Sequence, residues 1–395
     1  MNERIAYATL VGLVAYAAVA TDLYLPALPA IVAEFGATEA EGQITLSLFM
    51  IGMAAGQLIF GPLSDYYGRL PVVVVGTLLF IATSVACALT TTMELMWLAR
   101  LLQGLAAASG PVIARAIVRD RYQGNRAAQV MSMLGAAMAV VPLIAPTIGS
   151  WLLVFADWRA TYLALAVFGI MVLLGLRQFQ ESAPAIGVGS IGILRVLGLF
   201  GTCLRHPRFI GYQICGTASY SSILAYLSTV SFFMIDVFAL PSQYFGYAFA
   251  VSVAGFMVGA LLCSRLVVHI GMDNTLALGM TLTFTAALGQ WLFATTDTLH
   301  TVALAACSFT VFFGIGLTSA NAAMGAVSLF PKIAGAASAV FGFVHAVIAA
   351  AAGFIAGQLY DGTLIPTTSI MLTAGTLGLL GIPLARGVFG GKDHR

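Results

Sequence analysis

Long runs of apolar residues, separated by short polar segments, occupy almost the whole chain. Twelve of these runs approach the 20 residues or so that a helix needs to cross a bilayer. Lipid-exposed backbone must satisfy its own hydrogen bonds, which favours helices, and the alternating pattern of a membrane β-barrel is absent from the sequence. We therefore predict an all-α membrane protein with twelve transmembrane helices, spans 1 to 12. They lie near residues 5–25, 42–61, 70–90, 95–117, 127–152, 160–177, 209–230, 243–264, 273–294, 300–322, 333–357 and 366–386.

Composition supports this prediction and excludes several classes of protein. The chain is 60% hydrophobic and only 8% charged, whereas about a quarter of the residues of a soluble domain are charged. The five cysteines and five histidines show no disulfide or metal spacing. The sequence 187–192 matches G-x-G-x-x-G but follows no predicted strand, and no P-loop pattern occurs. Dinucleotide binding and ATP-driven transport are therefore unsupported.

The positive charges indicate an orientation. With the N-terminus in the cytoplasm, fourteen of the 17 Lys and Arg residues fall in cytoplasmic loops and tails. Only Arg159 falls on the opposite side, while Arg100 and Arg115 lie within span 4. Cytoplasmic loops carry an excess of Lys and Arg, so we expect both termini in the cytoplasm.

One long loop divides the spans into two sets of six. It covers residues 178–208 and is basic. We predict an N-terminal six-helix bundle at residues 1–177, a cytoplasmic linker loop at 178–208 and a C-terminal six-helix bundle at 209–395. Two similar halves are typical of many transporters.

A carboxylate ends the first apolar run. Asp22 and its neighbour Tyr24 stand in the sequence Thr-Asp-Leu-Tyr-Leu-Pro, after a run without charge from Ile5 to Ala20. An ionisable residue at membrane depth marks a functional site by default. The alternative is that Asp22 caps the helix in the headgroup layer, and position alone does not separate the two.

Span 4 carries an arginine and a glutamine on one helical face. Arg100 lies about a turn and a half inside the outer boundary, and Gln103 follows three residues later. A charge at this depth needs a partner or a water-filled cavity. The alternative is that Arg100 extends its side chain outward to the lipid headgroups.

Two further segments have distinctive spacing. Gly61 and Gly68 bracket a charged segment between spans 2 and 3 and predict a sharp turn at each end. Asp65 within it is placed to meet a positive partner, either Arg69 or a helix N-terminus. Span 5 carries two prolines, which bend a helix, and two glycines, which have no side chain. They are Gly135, Pro142, Pro146 and Gly149.

Together these segments resemble the major facilitator superfamily. The 61–69 sequence is similar to its G-x-L-x-D-x-x-G-R loop, Arg100 to Gly104 to its R-x-x-Q-G pattern, and span 5 to its antiporter motif. Leu70, Ala145 and Ser150 depart from the family patterns. With the Asp22 stretch, the chain resembles the bicyclomycin- and chloramphenicol-resistance branch of twelve-helix drug/proton antiporters.

The resemblance implies roles for these residues. It implies the major facilitator fold, a gating role for Gly61, Asp65, Gly68 and Arg69, and a part in proton transfer for Arg100 and Gln103. We add Asp22 and Tyr24 to this proton- and substrate-responsive set, and raise the hypothesis that Asp22 contacts Arg100.

The second half offers weaker candidates. His345, near the middle of span 11, could handle protons, although a buried histidine bonded to a carbonyl is the commoner arrangement. Several other polar side chains could line a cavity, and packing is the alternative for each of them. They are Tyr220, Tyr226, Tyr244, Tyr247 and Asn321.

We therefore expect a secondary transporter rather than an enzyme. The function favoured is proton-coupled export of small amphiphilic compounds, such as phenicol- or bicyclomycin-like antibiotics, by alternating access. The alternatives are export of a metabolite such as a nucleoside or amino acid, and proton-coupled import of a small metabolite. We expect a monomer in the bacterial inner membrane, with protons as coupling ion and with no cofactor, metal or nucleic acid bound.

Overall fold

The computed structural model describes residues 3–122, 124–182, 200–296, 298, 300–330 and 333–387. Within these residues, twelve helical segments are long and apolar enough to cross a membrane, which confirms the predicted fold class and number of spans. Spans 1 to 12 are Glu3–Phe35, Glu39–Tyr67, Arg69–Ala88, Met93–Arg121, Gln129–Phe155, Arg159–Leu176, Pro207–Val237, Ser242–Ile270, Met272–Thr295, Thr301–Ser328, Val340–Gln358 and Ile365–Ala385. The helices that contain spans 5 and 11 begin earlier, at Gly124 and Ala334.

Three spans are built from more than one helical piece. Span 1 consists of the helix Glu3–Asp22, the 3₁₀ turn Leu25–Ala27 and the helix Leu28–Phe35. Span 4 consists of Met93–Ala107 and Ser109–Arg121, and span 7 of Pro207–Phe232 followed by the π-helical turn Phe233–Val237.

The break in span 1 follows from its prolines. Pro26 and Pro29 each stand in the first turn of a helical piece, where a missing N–H and a fixed φ are tolerated. The sequence predicted that span 1 would end near residue 25. It instead continues as a helix to Phe35, and Gly36, with φ of 61°, ends it.

The predicted turn at Gly61 is wrong. Span 2 remains helical from Glu39 through Pro62 to Tyr67, so Gly61 lies inside a helix. Gly68 makes the whole turn to span 3, with φ of 98°, a conformation that only glycine adopts readily. The charged segment is therefore the last turns of a helix, and Asp65 lies four residues before Arg69, which begins the next helix after the Gly68 turn.

The helices group into two compact units. The first unit contains spans 1 to 6 and the segment Pro241–Gly246. The second contains spans 7 and 9 to 12 and the rest of span 8. The predicted linker at 178–208 falls largely outside the described residues.

Paired glycines produce the same helix contact in each unit. A Cβ atom at Gly52 or Gly56 in span 2 would overlap the carbonyl oxygens of Leu101 and Leu105 in span 4. In the second unit, Gly255 and Gly259 of span 8 meet the carbonyl oxygens of Phe309 and Phe313 of span 10 in the same way. Small residues of this kind let membrane helices approach closely.

The turn glycines repeat as well. Gly68 and Gly271 both have positive φ, and each directly precedes the next span. They stand as far apart in the chain as Gly52 and Gly255 do. The two units therefore share a local architecture that their sequences only hint at.

Candidate functional site

The carboxylate of Asp22 lies at the point where the first helix of span 1 ends. Its side chain is only 5% exposed within the protein. The hydroxyl of Thr21 donates a hydrogen bond to Asp22 Oδ1 over 3.1 Å, and the same hydroxyl lies 3.0 Å from the carbonyls of Ala17 and Ala18. Such burial argues against a carboxylate that simply caps a helix among the headgroups.

Arg100 is fully buried in the first helix of span 4, Met93–Ala107. The guanidinium Nη1 donates to the backbone carbonyl of Ala20, at 3.1 Å, and to Oε1 of Gln103, at 2.7 Å. The side chain has no exposed surface, so it does not extend to the headgroups. Its contact with Ala20 places it beside the end of the first helix, at the depth of Asp22.

Aromatic rings surround the guanidinium. Its central carbon lies 4.1 Å from the ring centre of Tyr24, 4.4 Å from that of Phe49 and 6.0 Å from that of Tyr162. A cation over an aromatic face is attracted by the ring quadrupole, most strongly when both are desolvated. We call Arg100, Gln103, Tyr24, Phe49 and Tyr162 the arginine box.

Gln103 fixes the orientation of the arginine. Its Nε2 donates to Ser84 Oγ in span 3 at 2.8 Å, which leaves Oε1 facing Arg100. Cys87 Sγ lies 3.9 Å from the same oxygen. The side-chain hydroxyls of Tyr24 and Thr45 are 3.2 Å apart, so the box ties spans 1, 2, 3, 4 and 6 together.

Among the described residues, Asp22 and Arg100 are both buried without forming an ion pair with each other. Of the ion pairs within 4.0 Å among the described residues, none joins Asp22 to Arg100, so the hypothesis of direct contact is not supported. Arg100 Nε and Nη2 are buried and have no hydrogen-bond partner in the described part of the chain. A buried cation with unused donors, bonded to the carbonyl of Ala20 two residues before the buried Asp22, is an arrangement suited to binding rather than to packing alone.

Span 5 approaches the break in span 1. A Cβ atom at Gly149 would overlap the carbonyl oxygen of Leu23 and lie 3.1 Å from Pro26. Gly135 has open space beside it. Pro142 and Pro146 lie within the helix Gly124–Phe155. Of the predicted antiporter-motif residues, Gly149 is the one that contacts the Asp22 stretch directly.

A second charged cluster lies at the other end of the first unit, around Arg69. Arg69 Nη1 pairs with Asp65 at 2.5 Å and donates to Ser64 Oγ at 2.8 Å, which confirms Arg69 as the predicted partner of Asp65. Its Nε pairs with Asp120 at 2.8 Å. Arg69 and Asp120 are 4% and 7% exposed, whereas Asp65 is 65% exposed.

The sequence analysis missed two members of this cluster. Asp120 follows Arg119 at the end of span 4, where alternating charges are typical of a solvated surface. Glu181 accepts hydrogen bonds from the backbone N–H groups of Arg69 and Leu70, at 2.8 and 3.0 Å, and so caps the N-terminus of span 3. Glu181 is 112 residues from Arg69 in the chain, so its contact with the 61–69 segment is visible only in the folded structure.

The candidates from the second half of the sequence have separate contacts. The rings of His345 and Tyr220 stack at 4.2 Å between centroids. The hydroxyls of Tyr226 and Ser252 are 3.1 Å apart, and Asn321 donates to the Leu317 carbonyl at 2.8 Å. Both Tyr226 and Asn321 are buried. Tyr244 and Tyr247 are exposed.

Comparison with known proteins agrees with these features. The family model of the Major Facilitator Superfamily matches residues 9–354. The Multidrug resistance protein MdtL of Escherichia coli is 30% identical over 362 residues, with 89% of this chain and 90% of the relative covered. The Bicyclomycin resistance protein homolog of Haemophilus influenzae is 25% identical, with 87% of each chain covered.

A solved structure shows the same fold. The crystal structure of the nucleoside transporter NupG (D323A mutant) superposes with a TM-score of 0.77 and covers 98% of this chain and 99% of that one. At 13% sequence identity this likeness concerns the fold alone. The resemblance to drug-resistance transporters is confirmed by the relatives above. The chain is a multi-pass membrane transporter, not an enzyme, and belongs to the major facilitator superfamily.

Proposed function

We propose that this protein is a proton-coupled exporter of small amphiphilic compounds, such as phenicol- or bicyclomycin-like antibiotics. The observation that carries the proposal is the buried carboxylate of Asp22 beside the arginine box, at the break in span 1. The two relatives named for drug resistance support export of this kind of compound.

The coupling proposed here depends on Asp22 changing its charge. Among the described residues, Asp22 forms no ion pair with Arg100 within 4.0 Å. The Asp22 carboxylate can therefore take up and release a proton while Arg100 keeps its hydrogen bonds. Charges interact strongly where water is excluded. A proton and a substrate that compete for this carboxylate would each displace the other, and alternating access would then exchange them across the membrane.

The arginine box has a distinct role in this proposal. Its rings and amide hold the guanidinium in place, and two of its donors stay unused. A carbonyl, hydroxyl or nitro oxygen of a substrate could accept from them, which suits uncharged amphiphiles with polar oxygens. Tyr24 and Phe49 would supply the apolar surface.

The proposal also covers orientation, oligomeric state, location and the role of the Arg69 cluster. Both termini lie in the cytoplasm, and the protein works as a monomer in the bacterial inner membrane with protons as coupling ion and with no cofactor. The Arg69 cluster then lies on the cytoplasmic side. Its buried ion pair with Asp120 would close that side and open when the helices rearrange.

Two alternatives use the same fold. A metabolite exporter would differ only in substrate, and a proton symporter would carry its substrate inward. Nothing in the arginine box favours either one, and the likeness to the nucleoside transporter concerns fold alone.

Whole-cell accumulation of a phenicol and of a fluorescent cation, with and without a protonophore, tests the proposal. Cells that express the protein should accumulate less of the compound than control cells, and the protonophore should abolish this difference. Uptake that exceeds that of control cells and is sensitive to the protonophore would instead establish the symporter. Exclusion that survives the protonophore would contradict proton coupling.

A further inference from the structure

The last helix of span 1, Leu28–Phe35, is bound to the start of span 6 by one carboxylate. We call it the outer helix. Glu34 accepts a hydrogen bond from the indole Nε1 of Trp158 at 2.6 Å. Its two oxygens also accept from Arg159, at 2.7 and 3.2 Å. Three hydrogen bonds converge on a group that the sequence analysis did not single out, and charge-assisted bonds of this kind are the stronger ones.

Contacts with the Trp158 ring reinforce the same junction. The Arg159 guanidinium lies 4.3 Å from the ring centre of Trp158, and the ring of Phe35 meets Trp158 edge-on at 5.6 Å. Trp158 is only 2% exposed although Glu34 is at the surface. We call Glu34, Trp158 and Arg159 the outer tether.

The contacts continue inward from the tether to the arginine box. Trp158 packs edge-on against Tyr162, with 6.1 Å between ring centroids. Tyr162 in turn lies 6.0 Å from the ring of Tyr24 and 6.0 Å from the guanidinium of Arg100. A chain of packed rings therefore joins the surface carboxylate to the buried cation.

The break in span 1 explains why a tether is needed. Between Asp22 and Leu28 the continuous α-helical hydrogen bonding is interrupted, so the helix Leu28–Phe35 is not held in line by the helix Glu3–Asp22. Tyr24 lies within this interruption, and its position over Arg100 depends on what holds the outer helix in place.

We infer that Glu34 and Arg159 are positioning residues for the Asp22 site. They hold the outer helix against span 6 and so fix Tyr24 on Arg100 and Asp22 at the end of its helix. This inference rests on the proposed function, because positioning matters only if Asp22 responds to protons. The residues touch neither proton nor substrate themselves.

The test compares Glu34→Gln, Arg159→Gln and the double substitution with Asp157→Asn as control. Asp157 also pairs with Arg159, at 3.3 Å, but forms no hydrogen bond or ion pair with span 1 among the described residues. Affinity for a phenicol is measured in detergent between pH 5.5 and 8.5. Both single variants should lose most of the pH dependence that the unsubstituted protein shows, and the double variant should be no worse than either, because coupled residues act as a unit.

A second measurement does not depend on transport or on protons. In protein whose only tryptophan is Trp158, quenching by acrylamide should rise by about threefold in Glu34→Gln, because a buried indole becomes accessible when its tether loosens. Asp157→Asn should leave quenching unchanged. These two results together support the tether.

Two outcomes overturn the inference in different ways. Unchanged quenching and an unchanged pH profile in Glu34→Gln and Arg159→Gln would show that the tether positions nothing. Binding that is independent of pH in the unsubstituted protein would contradict the proposed function itself, and with it the positioning role, even if quenching responded as expected.

Discussion

At the scale of single residues, Arg100 shows how this fold accommodates a charge in its interior. Burying a charge without hydrogen-bond or ion-pair partners is costly, and removing a partner from a buried charge destabilises the fold. Arg100 obtains its partners from a backbone carbonyl, an amide and aromatic faces rather than from a carboxylate. Its neighbour Asp22 is therefore free to change its charge without removing a hydrogen bond from the arginine.

Replacing Arg100 with lysine should separate charge from shape. Lysine keeps the charge but lacks the flat guanidinium that lies over Tyr24 and Phe49, so the exchange is not conservative here. We expect Arg100→Lys to slow efflux by about tenfold or more, the effect of losing a desolvated cation–π contact of about 2 kcal/mol. Initial efflux rates from preloaded cells measure this.

Arg119→Lys is the matched control, because Arg119 is exposed and its pair with Asp120 spans 3.6 Å. It should change the rate by less than about twofold. Equal rates for Arg100→Lys and the unsubstituted protein would show that the arginine box contributes only its charge.

The Arg69 cluster predicts an unequal effect of its two carboxylates. Asp120→Ala leaves a buried guanidinium without its buried partner, a change that typically costs about 3 to 5 kcal/mol. Asp65→Ala removes an exposed partner, and exposed ion pairs contribute about 1 kcal/mol or less. The midpoint of thermal unfolding in detergent should therefore fall much further for Asp120→Ala. An equal or larger drop for Asp65→Ala would contradict this assignment.

At the scale of elements, the break in span 1 determines what its neighbours can be. Span 5 approaches the break so closely that Gly149 has no room for a side chain against the Leu23 carbonyl. The prolines of span 1 and the glycine of span 5 are thus two parts of one contact. That contact holds the segment between Asp22 and Pro26 in place.

Two glycines of span 5 should respond oppositely to alanine. Gly149→Ala should lower the thermal unfolding midpoint, since overpacking typically costs about 1 to 3 kcal/mol. Gly135→Ala, where nothing lies within 4 Å, should leave the midpoint unchanged or raise it, because alanine favours helix by up to about 1 kcal/mol. A drop of equal size in both variants would contradict the close contact of spans 1 and 5.

Much of the architecture could be predicted from the sequence because membrane helices leave a strong signal. Length and apolar character sufficed for the twelve spans, and helical spacing sufficed to place Arg100 and Gln103 on one face, where they are hydrogen-bonded. The helical continuation through Pro62 could not be predicted, because a glycine and a proline side by side usually indicate a turn.

The residues that contact the predicted site residues could not be predicted from the sequence for a different reason. Phe49 and Tyr162 are aromatic residues among apolar neighbours, so nothing in the sequence distinguishes them from core packing. Asp120, Glu181 and Glu34 are charged residues near loops, where a solvated surface is the ordinary expectation. Their importance arises only from distances between residues far apart in the chain.

At the scale of the whole molecule, the two units repeat an architecture but not a chemistry. Aligning their glycine contacts pairs Leu101 with Phe309 and Leu105 with Phe313, which places Ser308 where the first unit has Arg100. Ser308 is buried and accepts a hydrogen bond from Gln290 at 2.9 Å. The equivalent position is thus charged in one unit and neutral in the other.

Under the proposed function, this asymmetry predicts that the first unit alone takes part in proton coupling. Ser308→Ala should change the efflux rate by less than about threefold and leave its pH dependence intact, because it removes a neutral hydrogen bond of about 1 kcal/mol. Efflux assayed across a series of external pH values measures both quantities. A pH dependence lost in Ser308→Ala would show that both units take part in coupling.

The most direct test of the account is whether substrate binding displaces a proton from Asp22. Purified protein in a weakly buffered detergent solution is mixed with a phenicol, and a pH indicator records the protons released. If proton and substrate compete for Asp22, the unsubstituted protein should release protons, and Asp22→Asn should release none when that variant is folded and present in equal amount. Release of the same number of protons from Asp22→Asn would contradict this competition.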